Sequence, residues 1–582
     1  MTTVRTSVCS VLVIGSGAAG MRAAIAAHEA GAHVTVLGKR PRLDAHTVLA
    51  AGGINGALGT RDRDDTWQQH YADTVREGYF LSHPRVVEVM AMESPAAIRE
   101  LDEWGCEFAR TDDGDIDQRF FGAHYYRRTC YAGDFTGRAV LRTVHRRAAE
   151  IGVPAVVEDT YVAKLLVADR TCFGALAFDV HTGERTVLLA DAVIVCTGGH
   201  TRLWRRSSSR RDENFGDGLG LLLEAGVELM DMELVQFHPT GMMWPEEVAG
   251  RLITEAVRGE GGLLYNARGE RFMERYDRER LELSSRDRVA LAIHTEIAEG
   301  RGTERDAVLL DISHCGKDFI LEKLPRMYRQ FIELEMLDIT KQPMEVAPTA
   351  HYTMGGAVVD PETHATSVAG LYAAGEVCGG LHGANRLGGN SLSETLISGR
   401  HAGEAAASFA ESDEVIIRSR RAIRDAADEL EAMVRPGTEL ARPLQRRLRN
   451  AMWQHCGVVR DETGLKEALA EIEDIRRALP EVDVRPGAEG WSDLAHALDL
   501  RGGLLAAEAT VRGAMERRET RGAHNRSDHP ELDDGLQVNF YTRLDDGEMA
   551  ILQRPVPAAS PELQEILRAA PRVVETAAHL QE

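Results

Sequence analysis

Gly15-Ser16-Gly17-Ala18-Ala19-Gly20 constrains this chain more than any other segment, because the apolar run Val11 to Ile14 precedes it and the alanine-rich stretch Met21 to Ala30 follows it. Strand, glycine turn and helix in that order let a backbone approach a pyrophosphate at a helix N-terminus. A second apolar run, Val34 to Leu37, completes a βαβ pattern and predicts a parallel sheet. The acidic residue that such a fingerprint places about 20 positions further on is missing. Gly38-Lys39 stand there instead, and Lys39 suits a phosphate or another anionic part of a ligand. Glu376, which ends the run Leu371 to Ala374, would supply the ribose acceptor if that strand packs beside the first domain.

The rest of the chain reads as several units. Amphipathic helices are expected at Trp67 to Tyr79 and Pro84 to Trp104, and strands at Ala155 to Glu158, Ala163 to Val167 and Ala192 to Cys196. Between 239 and 342 the texture turns charged and arginine-rich with weaker strand signals, which reads as an inserted domain. The earlier patterning returns at His351 to Gly399, and 412–525 reads as a helical bundle broken at Pro436-Gly437 and around Pro480 to Glu489. The expected class is therefore α/β: a Rossmann-like domain at 1–238 and 343–411, the insertion at 239–342, the bundle at 412–525 and a small C-terminal domain at 526–582.

Composition excludes some functions. A formal charge of -23 argues against nucleic acid and would be repelled by an anionic membrane surface. Any membrane association should then run through a partner. No apolar run approaches the roughly 18 residues of a bilayer span, so the chain is read as soluble. The run Val8 to Ile14 after Arg5 imitates a signal peptide, but it leads straight into the glycine turn and reads as a first strand. The eight cysteines stand singly with no CxxC pair, which argues against a zinc or iron-sulfur site within the chain and fits a reducing cytoplasm.

His382 to Leu392, HGANRLGGNSL, is too rich in glycine and polar groups for a core strand and suits a loop around a flat ring. Arg386 offers a planar fork for a carboxylate, and a helix starting near Ser391 offers its N-terminal dipole. Taken with FHPTG at Phe237 to Gly241 and HYTMGG at His351 to Gly356, this segment resembles the succinate dehydrogenase and fumarate reductase flavoproteins. Further matching segments span nearly the whole chain, among them His46-Thr47-Val48, Arg128 to Tyr131, Thr254-Glu255, Arg258 to Gly262, Ser285 to Asp287 and Arg521 to His524.

The resemblance implies FAD, a capping domain at 239–342 that closes over the flavin, and a small dicarboxylate held between the two. By match, His238, Thr254, His351 and Arg386 bind the carboxylates, and Arg286 moves the proton at the reacting carbon. Arginine looks a poor base, since its solution pKa exceeds about 12. The family answer is a relay, for which Glu255 and Arg258 stand at i, i+3. The cofactor residues would be Gly15, Gly17, Ala18, Ala19, Gly20, Lys39, His46, Thr47, Gly52, Gly53, Asp217, Glu376, Asn390, Ser391 and Leu392.

His46 matches the histidine that is bonded covalently to the flavin in many members. The chain departs from the family at Ala45, often serine, at Ala51, usually glutamine, and at Ala123, which replaces a glycine. The leading reading is the flavoprotein subunit of a succinate:quinone or quinol:fumarate complex, on the inner face of the cell membrane through a membrane anchor and an iron-sulfur subunit. The alternative is an L-aspartate oxidase; Met354 and Gly388-Gly389 favour the first. A catalytically silent scaffold is the third reading, and the joint retention of His238, Glu255, Arg258, Arg286, His351 and Arg386 speaks against it.

Overall fold

The computed structural model describes residues 5–571, so the outer ends of the first and last expected domains, 1–4 and 572–582, lie outside the described residues. Strand β1 (Arg5–Ile14), helix α1 (Ala18–Glu29) and strand β2 (Val34–Leu37) form the expected unit, with β1 and β2 parallel from Val11↔Val34 to Ile14↔Leu37. Helices α2 (Trp67–Glu77) and α3 (Pro84–Glu103) follow where the amphipathic pattern places them. The side chain of Thr66 caps α2 by accepting from Gln69 N at 3.3 Å.

Strands β3 (Thr160–Ala168), β4 (Thr171–Asp179) and β5 (Arg185–Val195) extend the sheet in the order β2-β1-β5-β4-β3. The expected strand at Ala155 to Glu158 does not form. Val157 makes only one bridge, to Leu37, and is 48% exposed, so this stretch has no buried face to hold a ladder.

A second sheet stands over the first. Strands β6 (Val235–Met242), β7 (Leu263–Tyr265), β8 (Val308–Asp311) and β9 (Met344–Thr353) are antiparallel in the order β6-β9-β8-β7, and helix α4 (Arg286–Glu296) packs on β6 and β9. These elements bury their own core, including Val257, Leu264, Phe272, Val289, Ile293 and Phe331. The weak strand signal here has a local cause. Pro239 and Gly241 interrupt β6, and the register against β9 shifts between His238 and Gly241. Strand β6 also runs across the expected boundary between 238 and 239.

Strand β10 (Leu371–Ala373) returns to the first sheet and pairs parallel with β5, which puts Glu376 beside the first domain. Helix α5 (Asn390–Ala410) then crosses α1 at backbone contact. A Cβ on Gly399 would lie 2.5 Å from Ala19 O, and one on Gly403 would lie 2.3 Å from Ala23 O, so only glycine fits at either crossing point. Helices α6 (Arg420–Met433), α7 (Ala441–His455), α8 (Glu462–Ala478) and α9 (Ser492–Glu516) make the helical part. Strands β11 (Val538–Asp545) and β12 (Glu548–Pro555) form a hairpin that pairs with Leu229–Met230.

Arg517, at the end of α9, ties these parts together. Its side chain is fully buried and reaches Glu233 at 2.7 Å, Glu519 at 3.1 Å and Asp231 at 3.4 Å. Removing one partner of a buried ionic cluster strands the others without counter-charge. Arg517→Met is therefore expected to cost about 3–5 kcal/mol, read as a lowered urea midpoint. A midpoint within error of the parent would contradict this account.

Candidate active site

Strands β1, β5 and β10 are parallel, so their C-terminal ends share one edge of the sheet, and the turns beyond them line a single cavity. Crevices of this kind open at the carboxyl ends of doubly wound sheets. Gly15 makes the turn at φ +120°, and a Cβ there would stand 2.2 Å from Cys196 O. Gly17 starts α1 without a side-chain cap, and only Ala18 N has a hydroxyl acceptor, Thr47 Oγ1 at 3.1 Å. The remaining first-turn amides are left for an anion.

Of the expected cofactor residues, Gly15, Gly17, Ala18, Ala19, His46, Thr47, Gly52 and Gly53 line this cavity, joined by Asp217, Glu376, Ser391 and Leu392. Two do not. Gly20 lies beneath the turn, where a Cβ would meet Gly15 O at 1.9 Å. Asn390 is buried and bonds Asn55 at 2.6 Å, His70 at 2.8 Å and Thr74 at 2.9 Å, so its side chain is engaged within the loop. Lys39 lines the cavity, but its charge is already met by Asp499 at 2.5 Å and Asp217 at 3.3 Å. These carboxylates outweigh the burial that opposes the charge and hold the lysine pKa above its ordinary value.

The second sheet and α4 bring the other set to the same cavity: His238, Thr254, Glu255, Arg286, His351 and Arg386. Arg286 Nε donates to Glu255 Oε2 at 2.8 Å, and Nη1 donates to Gln236 Oε1 at 3.1 Å. Arg258 stands behind this pair instead of lining the cavity, 3.9 Å from Glu255 Oε2 and bonded to Glu282 O at 2.6 Å. Burial would raise the Glu255 pKa, yet Arg286 and Arg258 together push it down to about 2. Glu255 is thus an ionised carboxylate between two guanidiniums.

Burial drives the other shifts. His238 is held well below the usual histidine value by desolvation and then by Arg286, Arg258 and Arg386, and His351 by desolvation and then by His238, Arg386 and Arg286, so both act as neutral rings. Their ring centroids lie 5.2 Å apart at an edge-on angle. Thr240 N donates to His238 Nδ1 at 3.2 Å, and Ser208 Oγ pairs with His351 Nδ1 at 2.9 Å. Arg386 is 3% exposed, stacks 4.4 Å from the Tyr352 ring and donates to Ser391 Oγ at 3.2 Å. Its Nε has no partner among the described residues. Desolvation, aided by Arg286, pulls the Arg386 pKa down to about 9.

Several residues of the site carry no signal in the sequence. Gln236 links Arg286 to Asn385 and to Arg386 O, at 2.8 and 2.9 Å. Glu213 Oε1 bonds His46 Nδ1 at 2.9 Å, and Phe121 fills the space above Gly52, where a Cβ would lie 2.6 Å from its ring. Ala123, expected from the motif to be glycine, does sit at φ +67° two residues beyond Phe121, in backbone that favours glycine.

A family model described as an FAD binding domain matches residues 10–392, and one described as a fumarate reductase flavoprotein C-terminus matches 445–570. The succinate dehydrogenase flavoprotein subunit of Rickettsia conorii is 37% identical over 94% of this chain and 95% of its own length. The chain belongs to the succinate dehydrogenase and fumarate reductase flavoprotein family. A subunit of the CoM/CoB fumarate reductase of Methanothermobacter marburgensis is 42% identical over 90% of this chain and 95% of its own. Mycobacterium smegmatis Sdh1 in complex with UQ1 superposes with a TM-score of 0.86 at 39% identity, covering 95% of each chain. A quinol-fumarate reductase with menaquinol superposes at 0.90 with 32% identity, covering 96% of this chain and 99% of the other.

This flavoprotein binds FAD, and its residues fit that group. The uncapped start of α1 suits a pyrophosphate and Glu376 stands beside it on the cavity wall. The buried Thr197 Oγ1, also on that wall, has no hydrogen-bond partner among the described residues and awaits one. The flavoprotein is an oxidoreductase of its family. Among its described residues no helix is long and apolar enough to cross a membrane, and no cluster of His, Cys, Asp or Glu is arranged to hold a metal ion.

Proposed function

We propose that this flavoprotein interconverts succinate and fumarate, exchanging electrons with an iron-sulfur partner protein and, beyond it, a quinone. One observation carries the reading. Arg286 and Arg386 face a single cavity with the cofactor turns, and Arg386 has no carboxylate partner among the described residues. A dianion held there would meet that buried guanidinium, the neutral rings of His238 and His351, and the Thr254 hydroxyl.

When bound, FAD supplies a two-electron centre that accepts or returns a hydride. The chain handles the proton. Arg286 is fixed at two nitrogens by Glu255 and Gln236, so its remaining amino group is held in a set direction. Glu255, ionised and in contact with both guanidiniums, can accept the proton that Arg286 takes, and in the other direction it can relay to Arg286 a proton that it first receives from Arg258 behind it. The unit from about 239 to 342 acts as the lid, since it brings Thr254, Glu255 and Arg286 to the cavity.

Covalent attachment through His46 belongs to the same reading. Glu213 ties up Nδ1 and raises the ring's basicity against the effect of burial, leaving Nε2 as the free nitrogen. After acid precipitation of the holoprotein the yellow colour is expected to stay with the chain, and His46→Ser is expected to release it. Colour released from the parent chain would refute the bond. Membrane placement on the inner face would run through partner subunits, in keeping with the lack of a crossing helix among the described residues. The decisive assay supplies succinate or L-aspartate with a dye acceptor. Turnover of succinate supports the proposal; turnover of L-aspartate alone would replace it with an amino-acid oxidase.

A further inference from the structure

His238 and His351 line the cavity with their ring centroids 5.2 Å apart, and Nε2 of neither ring has a hydrogen-bond partner among the described residues. What each ring offers a ligand is therefore decided at Nδ1. Thr240 N is a backbone N–H and can only donate, so the His238 Nδ1 that it meets at 3.2 Å carries a lone pair. The Thr240 hydroxyl, 3.3 Å from the same nitrogen, sends its own proton to Ile253 O at 2.9 Å. The neutral His238 ring then holds its one proton on Nε2 and presents an N–H to the cavity.

At His351 a side chain stands where His238 has a backbone donor. Ser208 N donates to Ala350 O at 2.9 Å and Ala350 N donates to Arg206 O at 3.1 Å, which zips segment 206–208 alongside β9 just before His351. That pairing puts Ser208 Oγ 2.9 Å from His351 Nδ1, and the hydroxyl has no other hydrogen bond among the described residues. Burial, then His238, Arg386 and Arg286, keep the ring from taking a second proton. Either arrangement of the serine and histidine leaves one proton over. If His351 donates, the serine proton has no acceptor and a lone pair on Nε2 faces the cavity. If Ser208 donates, the spare proton sits on Nε2, where a carboxylate would accept it. A dianion in the cavity selects the second arrangement, which leaves no ring nitrogen unpaired only while a donor stands behind Nδ1.

We propose that Ser208 is a positioning residue for dicarboxylate binding: its hydroxyl fixes His351 as an Nε2–H donor, so that His238 and His351 together give two N–H groups to one carboxylate of a bound diacid. This rests on the reading of the cavity as a dicarboxylate site and adds to it a residue that acts only through His351.

The test titrates the holoprotein with malonate, followed by flavin absorbance, and sets Ser208→Thr against Ser208→Val, which match in shape and differ in the hydroxyl. Ser208→Ala and Ser208→Val are expected to bind malonate about 10–100-fold more weakly, and Ser208→Thr to stay within about 3-fold of the parent. KM for succinate with a dye acceptor should rise by the same factor while kcat stays within about 3-fold, because the bond is made before and during the chemical step alike. A residue that only packs would be rescued by valine as well as by threonine. Long-range proton–nitrogen NMR correlation on isotope-labelled histidine, assigned with His351→Gln, should find the parent's malonate complex with the His351 proton on Nε2 and none on Nδ1. That reading needs no Ser208 variant to fold. A proton on Nδ1 in the complex overturns the proposal, as does malonate binding by Ser208→Ala equal to the parent, or by Ser208→Val equal to Ser208→Thr. A parent that binds no malonate and turns over no succinate brings down the dicarboxylate reading and this proposal with it; a parent that does both while Ser208→Ala matches it brings down the role of Ser208 alone.

Discussion

Arg286→Gln is expected to lower dye-linked succinate turnover by about 10³–10⁴-fold at unchanged flavin content. The size follows from the geometry. Glu255 and Gln236 hold two of the three guanidinium nitrogens at 2.8 and 3.1 Å, and the third lies where a Cβ on Gly388 would stand 3.2 Å away. Gly388 thus leaves room for the fork to reach the cavity. Glutamine keeps a polar group but neither the charge nor the proton. Arg286→Lys keeps the charge and loses the fork, so it is expected to recover less than about 10-fold of the lost rate. The loss should appear in kcat, with dicarboxylate binding weakened far less. A glutamine variant that retained a tenth of the parent turnover would remove Arg286 from the chemistry.

Arg386→Met should act in the opposite sense on binding and on stability. Arg386 is buried, lacks a carboxylate partner among the described residues, and is disfavoured as a cation by burial and by Arg286. Two charge-assisted hydrogen bonds to a substrate carboxylate, at about 1.5–3 kcal/mol each, predict a loss of about 10²–10⁴-fold in affinity for a non-reacting dicarboxylate such as malonate. The same substitution removes an uncompensated buried charge, so the ligand-free protein is expected to gain about 1–3 kcal/mol, read from the urea midpoint. Weaker malonate binding with a lowered midpoint would mean that Arg386 serves the fold and affects binding only through it.

The nucleotide half of the molecule was legible because its signal is local. A glycine turn between an apolar run and an alanine-rich run has few other uses, and β1, α1 and β2 form where that pattern puts them. The matched motifs located His238, Glu255, Arg286, His351 and Arg386, which the fold brings to one cavity. Residues that work through distant contacts were not legible. Glu213 meets His46 across 167 positions and Asp499 meets Lys39 across 460, and no spacing rule reaches so far. Asn390 and Gly20 show the converse. Both sit inside motifs associated with the cofactor, but the loop and helix they belong to use them internally. The strands of the second sheet were faint because Pro239 and Gly241 interrupt the alternation that marks a strand.

Lys39 and Tyr161, at one end of the cofactor cavity, are both held by Asp499 of α9, at 2.5 and 2.9 Å. Asp499 is the more deeply buried of the two carboxylates on Lys39, so without α9 the lysine loses its deepest counter-charge. Every residue that lines the cavity lies between Ile14 and Thr395, so the helical part contributes charge to that end of the cavity and no wall. The charge balance at that end of the cavity therefore hangs on α9, and a change that loosens α9 would leave Lys39 with Asp217 alone.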